Sequence, residues 1–146
     1  MSSAILLDTS IILDMALPGR PEHEAAVLLA NEVADNVQLS AYVAATSLKD
    51  AYYVLSRGGN EAPARQYIRQ AIDFFELAAV DADICRLASA SDEPDFEDGI
   101  IRACAERVGV DYIISRDAGA YARSAIRRLS AREYVDLFCK PEPIAW

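Results

Sequence analysis

The stretch AILLDTSIILD, residues 4–14, decides how the chain is read. Ala4 to Leu7 form an apolar run without alternation that stops at Asp8, the pattern of a short strand buried on both faces of a parallel sheet. A helix is expected to begin near Ser10, with Asp14 as a polar position on it. A carboxylate placed directly after such a strand has two readings. It can cap the helix that follows, or it can be a functional group held at the strand tip by a rigid core.

Working outward, Pro18, Gly19 and Pro21 punctuate a turn. PEHEAAVLLANEVADN (21–36) then reads as an amphipathic helix with a stripe at Ala26, Leu29, Ala30 and Val33. VQLSA (37–41) reads as a second strand, and ATSLKDAYYVLSRGG (45–59) as a helix closed by Gly58 and Gly59. Residues 61–78 predict a longer helix with Tyr67, Ile68, Ala71, Ile72 and Phe75 on one face, followed by a minor strand at Ala79-Val80. DADICRLASASDE (81–93) predicts a short helix and loop. DFEDGIIRACAERVG (95–109) predicts a helix capped by Asp95 and stopped by Gly109. DYIIS (111–115) is the next strand, followed by a helical turn over 117–122 and an edge strand over Ile126 to Leu129. SAREYVDLF (130–138) closes the chain as a helix with Ser130 as N-cap and Glu133 three residues on. Strands separated by helices predict an α/β fold with a mostly parallel sheet, and 146 residues predict a single domain over 1–146.

An apolar fraction of 53% excludes intrinsic disorder as the reading of the acidic composition. The net charge of −9 argues against a surface that binds nucleic acid by bulk electrostatics. From Arg102 to Arg132, however, seven arginines face only Glu106, Asp111 and Asp117, so the charge is polarised along the chain. Cys85, Cys104 and Cys139 fit neither a disulfide framework nor a zinc site, and reduced thiols suit a cytoplasmic protein. No basic leader or bilayer-length apolar run is present, so no membrane association is expected. His23 is the only histidine, which leaves Ser-His-Asp and Cys-His catalysis without a base. There is no P-loop and no GxGxxG. Ser10 stands where a phosphoaspartate phosphatase needs its second acid, and a receiver-type regulator lacks its paired acids.

Ligands of open α/β sheets bind outside the carboxyl ends of the strands. Asp8 and Asp117 both follow strands and so belong to that edge. Asp98 lies in a helix's first turn with Asp95 and Glu97, where the macrodipole favours negative charge whatever the function. Asp50 sits inside a helix, where Asp is a weak former, and a solvated face accounts for it as well as a functional role does. Asp117 can equally cap the turn after it. Jointly, two or three converging carboxylates would repel one another unless a cation neutralised them. Oxygen ligands of this kind suit Mg²⁺ or Mn²⁺, ions that activate water for in-line phosphoryl displacement.

Four segments, LLDTSIILD, SLKDAYYVL, DFEDGIIRACAERVGVDYIISRD and LSAREYVD, resemble in order those of a PIN domain, the small nuclease fold that includes VapC-like toxins. The resemblance implies a three-layer α/β/α domain and a metal-dependent ribonuclease. It implies Asp8 and Asp98 as metal ligands, and Asp117 as the acid after the strand that holds a metal or the attacking water. Asp50 matches a mid-helix acid that is usually Glu; its shorter side chain speaks against direct metal contact. Ser115 stands where Thr is usual. Ser10 either steadies Asp8 or a metal-bound water, or caps its own helix. Many relatives carry an amide at position 117 and Asp-Phe at positions 120–121, where this chain has Asp117, Ala120 and Tyr121.

Arg116, Arg123, Arg127 and Arg128 are the candidates for RNA phosphate contacts, or else a solvated face. Tyr52 and Tyr53 read as core or dimer packing rather than as base-stacking groups. The resemblance further implies an RNA substrate, an antitoxin partner and a homodimer. The alternative is a non-catalytic PIN scaffold that binds RNA or a protein partner, motivated by Asp50 and Ala120.

Overall fold

The structure, a computed structural model, describes residues 2–139. Five strands, β1 (Ser3–Leu7), β2 (Leu39–Ala44), β3 (Glu76–Ala78), β4 (Tyr112–Ile114) and β5 (Arg127–Leu129), form one all-parallel sheet in the order β3-β2-β1-β4-β5. Seven helices flank it among the described residues: α1 (Thr9–Ala16), α2 (His23–Asp35), α3 (Ala45–Leu55), α4 (Glu61–Phe74), α5 (Ala82–Ala90), α6 (Phe96–Val108) and α7 (Ala131–Phe138).

The opening strand explains the layering. Ile5 and Leu7 point into one core with Ile11, Leu29, Val43 and Tyr134, under α1 to α4 and α7. Leu6 points the other way, into a core with Ile84, Ile101, Cys104 and Ile113 under α5 and α6. All three are fully buried, each contributing about 1.5–3 kcal/mol relative to exposure. A strand sandwiched between two helical layers has no polar face, which is why AILL does not alternate.

Several expected boundaries move. The second strand starts at Leu39 and runs on to Ala44, because Val37 is 98% exposed and Asn36 Oδ1 accepts the Gln38 N–H at 3.0 Å in a turn. α2 begins at His23, two residues after Pro21. α3 ends at Leu55, and Arg57–Gly59 form a separate 3-10 turn in which Gly58 and Gly59 take positive φ. The long helix ends at Phe74, and the edge strand is Glu76–Ala78 rather than Ala79-Val80. Pairing of Glu76, Leu77 and Ala78 with Tyr42, Val43 and Ala44 overrides local helical patterning there. Where a helical turn was expected over 117–122, residues 118–123 form turns, with the Ala120 N–H donated to the Asp117 carbonyl at 3.2 Å. α6 keeps its expected limits: Asp95 Oδ1 accepts the Asp98 N–H, and Gly109 adopts φ +78°. Ser130 and Glu133 form a reciprocal capping box on α7.

At the carboxyl edge Leu7 lies between Val43 and Ile114. The next residues, Asp8 and Ser115, are therefore neighbours across β1 and β4. No helix among the described residues is long and apolar enough to cross a membrane.

Candidate active site

Asp8 occupies the N-cap position of α1 with extended backbone, yet its side chain makes no capping bond. Its N–H is donated to the Ile114 carbonyl at 2.9 Å, which fixes it to the strand edge. The carboxylate turns elsewhere: Oδ2 accepts from Ser115 Oγ and from the Tyr121 hydroxyl, each at 2.9 Å. The capping position is used, but the carboxylate is left for the cleft.

Asp98 stands in the first turn of α6, where Asp95 already caps the helix by accepting the Asp98 N–H at 3.1 Å. Its Oδ1 lies 3.3 Å from the same Tyr121 hydroxyl. One phenolic proton is thus offered to two carboxylates on different elements. Burial, together with the charges of Asp8 and Asp95, pushes the Asp98 carboxyl up to about 6, against the downward pull of the Tyr121 hydrogen bond. A second negative charge is costly in this place.

Asp8, Asp50 and Asp98 line one open cleft of about 710 Å³. Asp50 projects from α3 and pairs with Lys49 Nζ at 2.9 Å. Asp117 does not line that cleft. Its N–H is donated to Ser115 Oγ at 3.1 Å, and its Oδ1 accepts the Gly119 N–H at 2.9 Å, so the carboxylate caps its own turn. Among the described residues no three acidic, His or Cys side chains are gathered closely enough to hold an ion between them. The donor set still fits a hydrated divalent cation. Asp8 and Asp98, both half-buried at the sheet edge, bring two carboxylates to one hydroxyl, and Mg²⁺ is ordinarily held by one or two carboxylates with water completing its shell.

Ser115 is fully buried, donating to Asp8 and accepting from Asp117. Ser10 does not take part in this network: its buried hydroxyl has no hydrogen-bond partner among the described residues, so it touches neither Asp8 nor the open N–H groups of α1, and a contact with metal-bound water is the expectation left for it. The hydroxyl that pairs within the cleft is that of Thr9, which donates to Ser47 Oγ at 2.8 Å. Sequence reasoning missed Tyr121 as a site residue. The only signal was a hydroxyl on a ring where relatives carry Phe.

Asp14 is not a simple polar position. It is 0% exposed and lies between Arg20 Nη1 at 3.6 Å and Arg116 Nε at 3.4 Å. Burial raises its pKa while Arg116 and Arg20 pull it down. Arg116 is thereby engaged inward, away from the cleft. Arg128 donates to the Ser115 carbonyl at 2.7 Å and approaches Glu133 at 3.6 Å, which makes it a brace of the site. Arg127 opens β5 beside Tyr112, on the amino side of the carboxyl edge, and Arg123 is exposed on the loop before it. None of the four arginines lines the cleft; among the described residues its basic lining residue is Lys49. Tyr53, expected in packing, is 64% exposed on the cleft wall, and the Arg57 guanidinium stands 4.8 Å from its ring centroid.

A five-stranded all-parallel sheet in this order between two helical layers, with two acids converging at its carboxyl edge, defines a small three-layer α/β/α domain. Comparison with protein families matches residues 4–119 to the PIN domain, and the chain belongs to that family. Among solved structures, VapC20 of Mycobacterium tuberculosis, a sarcin-ricin loop cleaving toxin, is 18% identical with a TM-score of 0.63, covering 79% of this chain and 91% of its own. FitAcB of Neisseria gonorrhoeae is 18% identical with a TM-score of 0.67, covering 87% and 97%. A toxin-antitoxin complex from Klebsiella pneumoniae is 20% identical with a TM-score of 0.65, covering 88% and 98%. At such identities the likeness is one of fold. Comparison with curated proteins finds no match.

Proposed function

We propose that the chain is a metal-dependent endoribonuclease that hydrolyses RNA phosphodiester bonds, acting in the cytoplasm as the toxin of a toxin-antitoxin pair. The observation that carries this reading is the approach of Asp8 and Asp98 to one hydroxyl at the edge of an open cleft. Asp8 and Asp98 are the residues that would hold Mg²⁺ or Mn²⁺. The ion, when bound, supplies charge neutralisation at the phosphoryl group and a water nucleophile at neutral pH.

The remaining residues act on substrate and water. Asp50, on α3 across the cleft, orients water by hydrogen bonding. Lys49 meets a phosphate, and the exposed ring of Tyr53 offers a stacking face to an unpaired base. Asp117 acts through Ser115 and through its field at Asp98. The likeness to the Klebsiella toxin-antitoxin complex supports an antitoxin partner for this chain, and a homodimer is part of the same proposal.

One observation favours the second reading, a scaffold that binds RNA or protein without cutting: the Asp117 carboxylate is occupied by the Gly119 N–H, and position 120 is Ala. Incubating a mixed RNA pool with purified protein and with Asp8→Asn, with Mg²⁺ or Mn²⁺ and with chelator, separates the two. Cleavage by the unmodified protein alone, and only with the cation, is the expected result. Equal activity in both proteins, or none in either with the cation supplied, overturns the enzyme reading.

A further inference from the structure

Tyr121 is the side chain that touches both Asp8 and Asp98, and its placement is determined from several sides. Its ring is 1% exposed, and its backbone sits at φ +66°, a conformation that bulky residues rarely adopt and that the surroundings must enforce. Its N–H is donated at 3.0 Å to Glu93 Oε2, a carboxylate whose side chain is itself 1% exposed. Arg102, on α6, approaches the other oxygen of Glu93 at 3.4 Å and donates to the Arg123 carbonyl at 3.2 Å. The loop is therefore tied to the same helix that carries Asp98, and the phenol can reach from it to Asp8 on β1.

Resting on the metal-dependent reading above, we propose that Tyr121 is a positioning residue of the candidate metal centre, its hydroxyl setting the separation and orientation of Asp8 and Asp98 for a divalent cation. The geometry suits that task. A neutral donor between two carboxylates holds both without adding charge that would compete with a cation. Ser115 and Tyr121 both donate to Oδ2 of Asp8, which leaves Oδ1 for a ligand in the cleft that Asp8 lines. A phenylalanine at 121 would fill nearly the same volume, so packing and hydroxyl can be tested apart. Outer partners of this kind are typically worth 10–100-fold in metal affinity.

The test measures Mn²⁺ affinity of the full chain by electron paramagnetic resonance of the free ion, for the unmodified protein, Tyr121→Phe and Asp8→Asn, with melting in chelator as the check on folding. Tyr121→Phe should melt cooperatively yet bind Mn²⁺ about tenfold more weakly. Its RNA cleavage should fail at limiting Mn²⁺ and recover at saturating Mn²⁺. Replacing Tyr121 with 4-aminophenylalanine, which restores a donor at the ring tip, should recover the affinity. Unchanged Mn²⁺ affinity in Tyr121→Phe would overturn the role of the hydroxyl while leaving the nuclease reading intact. Mn²⁺ bound equally well by Asp8→Asn would show that the acid pair holds no ion, and both would fall.

Discussion

Asp98 couples the candidate site to pH. Its folded-state pKa of about 6 stands above the ordinary 3.8, first because burial disfavours its charge and then because Asp8 and Asp95 repel it. For a raised carboxyl, the stabilising contribution is complete below the unfolded value and is lost as pH rises through the folded one. In chelator, the unmodified protein should therefore lose melting temperature relative to Asp98→Asn as pH rises from about 4 to about 6, with the difference level above that. The groups held low by their partners, Asp81, Asp92 and Glu133, give a slope of opposite sign at the acid end of that window, but they are common to both proteins and cancel in the comparison. A pH-independent difference between the two proteins would mean that Asp98 carries no such strain. Divalent cation should erase the difference near neutrality and lose affinity below about pH 6, where a proton competes for the same carboxylate. The places of Asp8 and Asp98 were legible in the sequence because a strand tip and a helix start are local features, while the pairing of the two came from the family resemblance. Tyr121 was not, because its contact with Asp8 spans 113 positions and depends on a left-handed turn that no local pattern announces. Asp14 was misread for the same reason: Arg20 and Arg116 converge on it only in the folded chain.

At the scale of elements, the start of α6 combines two jobs in neighbouring acids. Asp95 caps the helix through the Asp98 N–H, and its charge also helps raise Asp98. The jobs can be divided. Asp95→Asn keeps a good capping oxygen and removes the charge, so Asp98 should titrate lower by NMR with little change in melting temperature. Asp95→Ala removes both and should cost about 1 kcal/mol of stability in denaturant titration. If Asn and Ala destabilise equally, Asp95 contributes through its charge at the helix terminus rather than through its cap. The limits of α6 and the start of α7 were readable because caps are written in adjacent residues: Asp95, Gly109, and the Ser130 and Glu133 pair. β3 was not readable, since a three-residue edge strand is specified by pairing with β2 rather than by its own composition. Likewise, Val37 looked like a strand residue until the turn at Asn36 left it in water.

The whole molecule carries −9, yet the proposed substrate is a polyanion. Such a protein can bind RNA only if a few cations near the cleft act against a repulsive background, with stacking supplying much of the rest. The structure narrows which cations those are. Arg116 is spent on Asp14, Arg128 on Ser115 and Glu133, and Arg102 on Asp92, Glu93 and Glu106. Lys49 lines the cleft and is held only by its exposed pair with Asp50, a surface contact worth little in water, and Arg57 stands over the exposed Tyr53 ring beside it. Two such contacts on a single strand give a shallow salt dependence, with log K against log salt falling at a slope of about −1.4. Fluorescence anisotropy with a single-stranded RNA and Asp8→Asn, which prevents cleavage, measures that slope. Lys49→Glu combined with Arg57→Glu should abolish most of it, and Tyr53→Ala should weaken binding by about 1–3 kcal/mol without changing the slope. A slope of about −4 or steeper, insensitive to Lys49 and Arg57, would instead put the RNA across the arginine-rich segment from Arg102 to Arg132. It would also mean that binding releases Arg102, Arg107, Arg116 and Arg128 from the acids they now hold.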